Sequence, residues 1–282
     1  MRLLHGRPLA ERLNARSHER SNALQGRGIH PALAAISVGV DPAANTYLQR
    51  LVRGGKSLGI AVRDVPLSRD ATEAVVIAEL ERASRDPATH GVLLLTPLPG
   101  KLDEGHLVDH IAPSKDVEGV NPHNVGLLFD GRPHFVPSTA EAIVELLKFH
   151  EIRLSGADVV VVGRSTVVGR PAAALLLNED ATVTVAHKRT ADVAALTRRA
   201  AVIVVAVGRA GFLTGEMIAP GATVIDAGIN MTPGGLAGDV DADSVGSVAG
   251  ALSPVPGGVG TVTTALLLRN VLTAAEAQTA GA

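Results

Sequence analysis

Short apolar runs alternate with longer segments of mixed polarity along most of the chain. Residues 32–38 and 91–95 are two such runs, each of strand rather than helix length. Residues 62–66 read as a third strand beside them. Between the first and third of these strands, Asp41-Pro42 marks a helix start, with aspartate as N-cap and proline at the first helical position. Gly59 marks its end, which predicts a helix over residues 42–58. Residues 7 to about 24 read as a helix after a proline start, and Asp70 with Glu73 has capping-box spacing for a helix through Ala83. The run at 91–95 is ended by Thr96-Pro97-Leu98-Pro99. Strands separated by helices imply a largely parallel α/β sheet.

Ser138 with Glu141 repeats the capping pattern, and the helix it opens, ending near His150, is expected to link two domains. A new series follows. Strands are predicted over residues 159–162, 182–186, 202–207 and 223–227, with helices over 171–177 and 191–200 among them. This order reads as a Rossmann-like second domain. A last helix is predicted from Thr263 to about Ala277, and the small, polar tail 273–282 is expected to fray.

Composition narrows the function classes. Hydrophobic residues make up 46% of the 282 positions but aromatics only 2%, so Ala, Val, Leu and Gly must pack the core. Twenty-six basic against 28 acidic residues leave a formal charge of -2, which gives no electrostatic reason to expect nucleic acid or an anionic membrane as partner. The absence of cysteine excludes disulfides, thiolate metal sites and Cys nucleophiles. Residues 1–8 contain no long apolar run, so no signal peptide is expected, and no apolar run is long enough to span a bilayer. A cytoplasmic, soluble protein is the expectation.

Gly163-Arg164-Ser165-Thr166-Val167-Val168-Gly169-Arg170-Pro171 lies between a buried strand and a helix. A turn there aims backbone N–H groups at a phosphate, and Ser165 adds a hydroxyl. Serine replaces the second glycine of G-x-G-x-x-G, so spacing alone leaves an ordinary strand-to-helix turn open. An NAD-type site carries a carboxylate about 20 residues on. This chain instead has His187-Lys188-Arg189-Thr190, and Arg164 within the loop, which favours NADP over NAD. A solvated basic turn is the competing reading.

The segment Pro254-Val255-Pro256-Gly257-Gly258-Val259-Gly260 carries two prolines, three glycines and no charge, and is predicted to form neither helix nor strand. Proline fixes its φ and glycine lets backbone approach a ligand closely. The segment resembles the PGGVGPMT signature of the tetrahydrofolate dehydrogenase/cyclohydrolase family, with Thr261-Val262-Thr263 where Pro-Met-Thr is usual. The dinucleotide loop matches that family's G-R-S-x-x-V-G-x-P. The segment Val38-Gly39-Val40-Asp41-Pro42 through Tyr47 resembles its VGxxPASxxYVxxK helix, residues 91–99 its GxxVQLPLP strand, residues 115–119 its KDVDG, and residues 224–230 its VIDVGIN. The resemblance spans about residues 3 to 270.

The resemblance implies a substrate and catalytic domain over 1–137 plus 263–282, a dinucleotide domain over 138–262, a cleft between them, and a homodimer. It implies a tetrahydrofolate derivative as substrate, with Tyr47, Leu95, Pro97, Glu118, Pro256, Gly257, Gly258 and Val259 around it. Gly163, Arg164, Ser165, Gly169, His187, Lys188, Arg189, Thr190 and Ile229 would hold the NADP. Tyr47 and Glu118 are the catalytic candidates.

Two departures bear on the chemistry. The family lysine one turn after the tyrosine is Leu51, and the family glutamine on the strand is Leu95. A lone buried amide facing leucine would lose its partner, so the joint loss reads as one coordinated change towards an apolar wall. Oxidation of 5,10-methylene-tetrahydrofolate needs two aligned rings, whereas hydrolysis of the methenyl product needs a titratable group near the reacting carbon. Leucine supplies none, and Arg50, one helical turn from Tyr47, is a poor base because arginine does not deprotonate usefully. A dehydrogenase with weak or absent cyclohydrolase activity is expected. The alternatives are a same-fold enzyme acting on another one-carbon or pterin substrate, and a catalytically silent folate or nucleotide binder.

No metal is expected. His106 and His110 have helical ligand spacing but sit in a polar segment, and Asp239, Asp241 and Asp243 lack the glycine and glutamate of a calcium loop. Ser165 and Ser253 have no recognisable histidine partner for hydrolysis.

Overall fold

A computed structural model describes residues 1–280. The chain opens with strand β1 (Arg2–Leu3) and helix α1 (Arg7–Gly26). It then builds β2 (Ala32–Val38), α2 (Pro42–Leu58), β3 (Ala61–Leu67), α3 (Glu73–Arg85), β4 (Gly91–Leu94), α4 (Glu104–Val108) and α5 (Pro122–Phe129). By contact the molecule divides into two compact units: Arg12–Val136 with the chain from Thr264 onward, and Met1–Glu11 with Pro137–Thr263.

The unit beginning at Arg12 holds a parallel sheet in the order β3-β2-β4. Its central strand β2 is buried along almost its whole length, which is why it reads as a continuous apolar run. Asp41 caps α2 as the sequence predicts, accepting the N–H groups of Ala43 and Ala44 at 2.9 Å. Gly59 ends it at φ 69, in the left-handed conformation glycine adopts without strain. The buried face of α2 carries Leu48, Leu51, Gly55 and Leu58. The cap of α3 differs from expectation: Thr72 holds the N-cap position, and the N–H of Asp70 turns back to Ser68 Oγ at 3.4 Å. Asp70 therefore belongs to the preceding turn and forms no capping box with Glu73.

The second unit continues through α6 (Ser138–Phe149), β5 (Asp158–Val162), α7 (Gly169–Asn178), β6 (Thr182–Ala186), α8 (Val193–Thr197), β7 (Val202–Val205), β8 (Thr223–Asp226), β9 (Asn230–Thr232), β10 (Gly235–Ala237), α9 (Ala242–Gly246) and β11 (Ala251–Leu252). Helix α10 (Val259–Thr279) closes the fold. Six strands form one parallel sheet in the order β1-β11-β8-β7-β5-β6, and β9 and β10 form a separate antiparallel pair. Successive strands lie on opposite sides of β5, which makes its C-terminal end the topological switch point.

Several boundaries differ from the sequence reading. Pro137, not Ser138, occupies the N-cap of α6. Helix α8 starts at Val193, two residues later than predicted, because Asp192 accepts from Ala195 N at 2.9 Å and caps it there, and it ends early, at Thr197. Helix α10 begins at Val259, inside the Pro/Gly segment, and continues to Thr279 with Ala274 and Ala275 wholly buried. The predicted fraying from Thr273 is therefore wrong as far as 279, and residues 281–282 lie outside the described residues. The first 11 residues group with the six-stranded sheet, because β1 pairs with β11, whereas the sequence reading joins them to the first domain. Among the described residues no helix is long and apolar enough to cross a membrane.

Candidate active site

Register aligns the dinucleotide loop with the basic turn. Val162 pairs with Ala186 on one side and with Val205 on the other, so Gly163, His187 and Ala206 emerge together at the C-terminal edge of the sheet. Gly163 N–H donates to Ala186 O at 2.9 Å, and Ala206 N–H to Val162 O at 2.8 Å. Gly163 has φ 130, and a Cβ there would lie 2.2 Å from Ala206 O. A Cβ on Gly169 would lie 2.3 Å from Gly163 O. Both positions require glycine because the strand end and the helix start approach too closely for any side chain.

Ser165 organises the turn. Its Oγ accepts the N–H groups of Val168 and Gly169 at 3.2 and 3.3 Å, which leaves its hydroxyl proton to donate outward. Those two N–H groups are therefore engaged rather than free. Among the described residues, the N–H groups of Ser165, Thr166 and Val167 have no protein acceptor, and this part of the loop is exposed or half-buried. Three backbone donors and a hydroxyl fit a pyrophosphate, and Arg164 is exposed beside them.

Beside the loop, Thr190 Oγ1 accepts the N–H of His187 at 2.9 Å, and Thr190 N–H returns to His187 O at 2.8 Å. His187 Nδ1 accepts from Arg189 N at 3.2 Å. This tight turn leaves Lys188 and Arg189 exposed. The predicted cofactor residue Ile229 is 65% exposed.

Sequence reasoning missed what holds this edge in place. The carboxylate of Asp239, fully buried, accepts the N–H groups of Val207 and Gly208 at 2.6 and 2.9 Å on Oδ2. Its Oδ1 accepts from Arg209 N and from Asn230 Nδ2, each at 2.8 Å. Asp226 in turn accepts from Gly228, Asp239 and Val240, and burial pushes its carboxyl above the usual range. Ser253 Oγ accepts the N–H of Asp226 at 2.8 Å, so this serine serves the same network. Asp241 caps α9. The aspartate run hence builds loops. Replacing Asp239 by alanine would leave the N–H groups of residues 207–209 without their carboxylate. It is expected to lower stability by about 3 kcal/mol, as read by urea unfolding.

In the other unit, Leu51, Leu95, Leu48 and Val117 share one buried apolar cluster, and Tyr47 packs against it half-buried. Leu51 is wholly buried and Leu95 4% exposed. Arg50, on the same helix, is exposed. Pro97 is exposed just beyond β4, and the Thr96–Pro97 bond is cis. Glu118 is half-buried on a loop that its neighbour shapes: buried Asp116 accepts from Gly119 N at 3.0 Å, Asn121 N at 2.8 Å and Asn124 Nδ2 at 2.8 Å. Burial pushes the Asp116 carboxyl above the usual range, against the pull of those hydrogen bonds. A Cβ on Gly119 would lie 2.5 Å from Phe135 backbone, so the turn after Glu118 is also closed to side chains.

In the Pro/Gly segment Pro256 is exposed, Gly257 has φ 111, and Gly258 is buried. Val259 is only 2% exposed at the start of α10. Its side chain faces protein, so Val259, like buried Gly258, is a predicted substrate residue that is not presented outward.

His106 and His110 meet edge to face, with His106 Nδ1 2.6 Å from Glu73 Oε1 and His110 Nδ1 3.2 Å from Glu81 Oε1. Each histidine thus has its own glutamate on α3. Among the described residues no group of three or more His, Cys, Asp or Glu side chains is arranged to hold a metal ion.

Comparison with known proteins decides the family. The catalytic domain of tetrahydrofolate dehydrogenase/cyclohydrolase matches residues 4–118, and the NAD(P)-binding domain of the same family matches residues 137–279. The bifunctional protein FolD of Nocardia farcinica is 52% identical over 274 residues, 97% of each chain. This chain belongs to the tetrahydrofolate dehydrogenase/cyclohydrolase family.

Solved structures agree. The bifunctional FolD methylenetetrahydrofolate dehydrogenase/cyclohydrolase of Campylobacter jejuni superposes with a TM-score of 0.96 at 38% identity, covering 98% of this chain and 99% of that one. The methylenetetrahydrofolate dehydrogenase-cyclohydrolase of Trypanosoma brucei, solved with NADP and an inhibitor, gives 0.92 at 35% identity, covering 98% and 97%. The family's NAD(P)-binding domain thus falls on the six-stranded sheet whose edge carries the Gly163 loop. Its catalytic domain falls on the sheet and helices that carry Tyr47, Leu51 and Leu95.

Proposed function

We propose that this protein is an NADP-dependent 5,10-methylene-tetrahydrofolate dehydrogenase whose cyclohydrolase activity is weak or absent. The observation that carries the second half is the burial of Leu51 and Leu95 in one apolar cluster with Tyr47 packed on it. Structures named for a methylenetetrahydrofolate dehydrogenase, one of them solved with NADP, support the first half.

The bound nicotinamide supplies the acceptor for the hydride leaving the methylene carbon. The chain supplies position. The N–H groups of Ser165, Thr166 and Val167 with the Ser165 hydroxyl would hold the pyrophosphate, in a turn that Gly163 and Gly169 make possible, with Ile229 on the nicotinamide side. Tyr47 and Pro97 flank the pterin, and Glu118 accepts its N–H groups. Gly257 and Gly258 bring backbone close to the rings. Hydride transfer asks only for that alignment, because the product cation is stabilised by its own nitrogens. Ring opening by water asks for a group near that carbon that takes a proton from the attacking water and returns one to the ring nitrogen as its C–N bond breaks. Leu51 and Leu95 hold none, and a carboxylate anchoring the pterin at Glu118 works best ionised.

Arg164, Lys188 and Arg189 give NADP its preference through the 2′-phosphate. Replacing all three by serine is expected to cut kcat/KM for NADP at least ~10- to 100-fold, the worth of even one charge-assisted bond of about 1.5–3 kcal/mol, and leave that for NAD within about twofold. Steady-state assays of both cofactors check this. An equal loss for NAD and NADP would refute the 2′-phosphate assignment. Absence of reduced cofactor with either would refute the dehydrogenase reading.

A further inference from the structure

We propose that the N-terminal segment, residues 2–6, is a positioning element for the Pro/Gly loop, with Gly6 as its decisive residue. The proposal rests on the reading that this loop meets the folate.

The contacts form one ladder. β1 lies in register with β11, Arg2 opposite Ala251 and Leu3 opposite Leu252. Beyond the strand, Leu4 N–H donates to Leu252 O at 2.9 Å. Gly6 N–H then donates to Gly257 O at 2.8 Å, so the ladder runs past β11 and into the loop. Gly257, with φ 111, has a backbone setting that only glycine accepts readily, and its carbonyl is fixed from outside by Gly6. A Cβ on Gly6 would lie 2.3 Å from Gly258 O and 2.9 Å from Val262 Cγ2. Gly6 itself does not lie at positive φ, so alanine is allowed there by its own backbone and is excluded only by the loop.

A brace holds the segment from the other side. His150 Nε2 bonds His5 O at 3.0 Å, and the Arg2 guanidinium bonds His150 O at 2.6 Å. Two glycines pressed backbone to backbone leave the loop one place to sit. Shifting a substrate-contacting backbone by about an ångström is enough to cost about 100-fold in rate.

Gly6→Ala is therefore expected to lower kcat/KM for methylene-tetrahydrofolate at least ~10-fold while KM for NADP stays within about twofold. Gly215→Ala is the control. Its Cβ would lie 2.5 Å from Ser244 O, an equal clash in the same unit away from the loop, and it should lower the melting temperature without a folate-specific loss. If Gly6→Ala does not fold, His150→Ala decides. Loss of its bond to His5 O is expected to cut folate kcat/KM about two- to tenfold with NADP unaffected. Melting loss in Gly6→Ala with unchanged folate kcat/KM, or no effect in a folded His150→Ala, overturns the proposal. Pro256→Ala separates the two levels. A folate-specific loss there without one in Gly6→Ala leaves the loop reading standing and removes the brace; no loss in either removes the loop reading itself.

Discussion

Replacing Leu51 by lysine together with Leu95 by glutamine is expected to accelerate methenyl-tetrahydrofolate hydrolysis at least ~100-fold over the natural sequence, the lower end of what general acid–base catalysis contributes. The pair must change together. Leu51 is wholly buried and Leu95 nearly so, in one cluster. A lone lysine there would face leucine and lose its charge or its stability. A glutamine at 95 gives the ammonium a buried acceptor, and Tyr47 lies against the same cluster. The single Leu51→Lys variant is expected to melt several degrees lower than the double variant and to gain less activity. Disappearance of methenyl absorbance, with NADPH formation followed in the same cuvette, reads both reactions. A double variant that reduces NADP but does not hydrolyse would show that the leucines are not what suppresses the second step.

Gly163→Ala is expected to raise KM for NADP at least ~100-fold, or to prevent folding of the cofactor unit, through two separate effects. The added Cβ would stand 2.2 Å from Ala206 O, a backbone atom of the neighbouring strand's end that cannot swing aside. The φ of 130 is also one that alanine rarely adopts. Gly208→Ala makes a useful contrast. It too has positive φ, 67, but nothing stands within 4 Å of its Cβ, so it carries backbone strain without a clash and should cost far less. Thermal melts with and without NADP separate loss of binding from loss of fold, because a ligand that still binds raises the midpoint.

Much of the architecture is legible in the residues alone. The bounds of β2, α2 and β6 match their predicted ranges, because each combines an uninterrupted local signal with clear end markers: Asp41-Pro42 and Gly59 for α2, a strand-length run for the others. What fails is non-local. β1 and β11 are two residues each and exist by non-local pairing, β1 with β11 across the length of the chain and β11 with β8. Helix α10 starts within the Pro/Gly segment, where proline and glycine content suggests no helix at all.

The site divides the same way. Motif resemblance leads to Tyr47, Leu51, Leu95 and the Gly163 loop, and it does so because side-chain identity there is tied to chemistry. The supports are not visible in it. Asp239 looks like part of a weak calcium pattern, yet it holds three backbone N–H groups and an amide. Gly6 is an unremarked glycine before a helix, yet its backbone meets that of Gly258. Ser165 reads as a ligand donor, but its oxygen accepts two N–H groups of its own turn.

The most direct test of the account follows the fate of one product. Purified protein is given 5,10-methylene-tetrahydrofolate and NADP, and NADPH, methenyl and formyl products are resolved by comparing acid-quenched with unquenched samples. NADPH is expected to form with methenyl-tetrahydrofolate accumulating in step, then decaying no faster than in a control without enzyme. Methenyl decay that scales with enzyme concentration would contradict it, and would mean that another group does the work for which Leu51 and Leu95 are unfit.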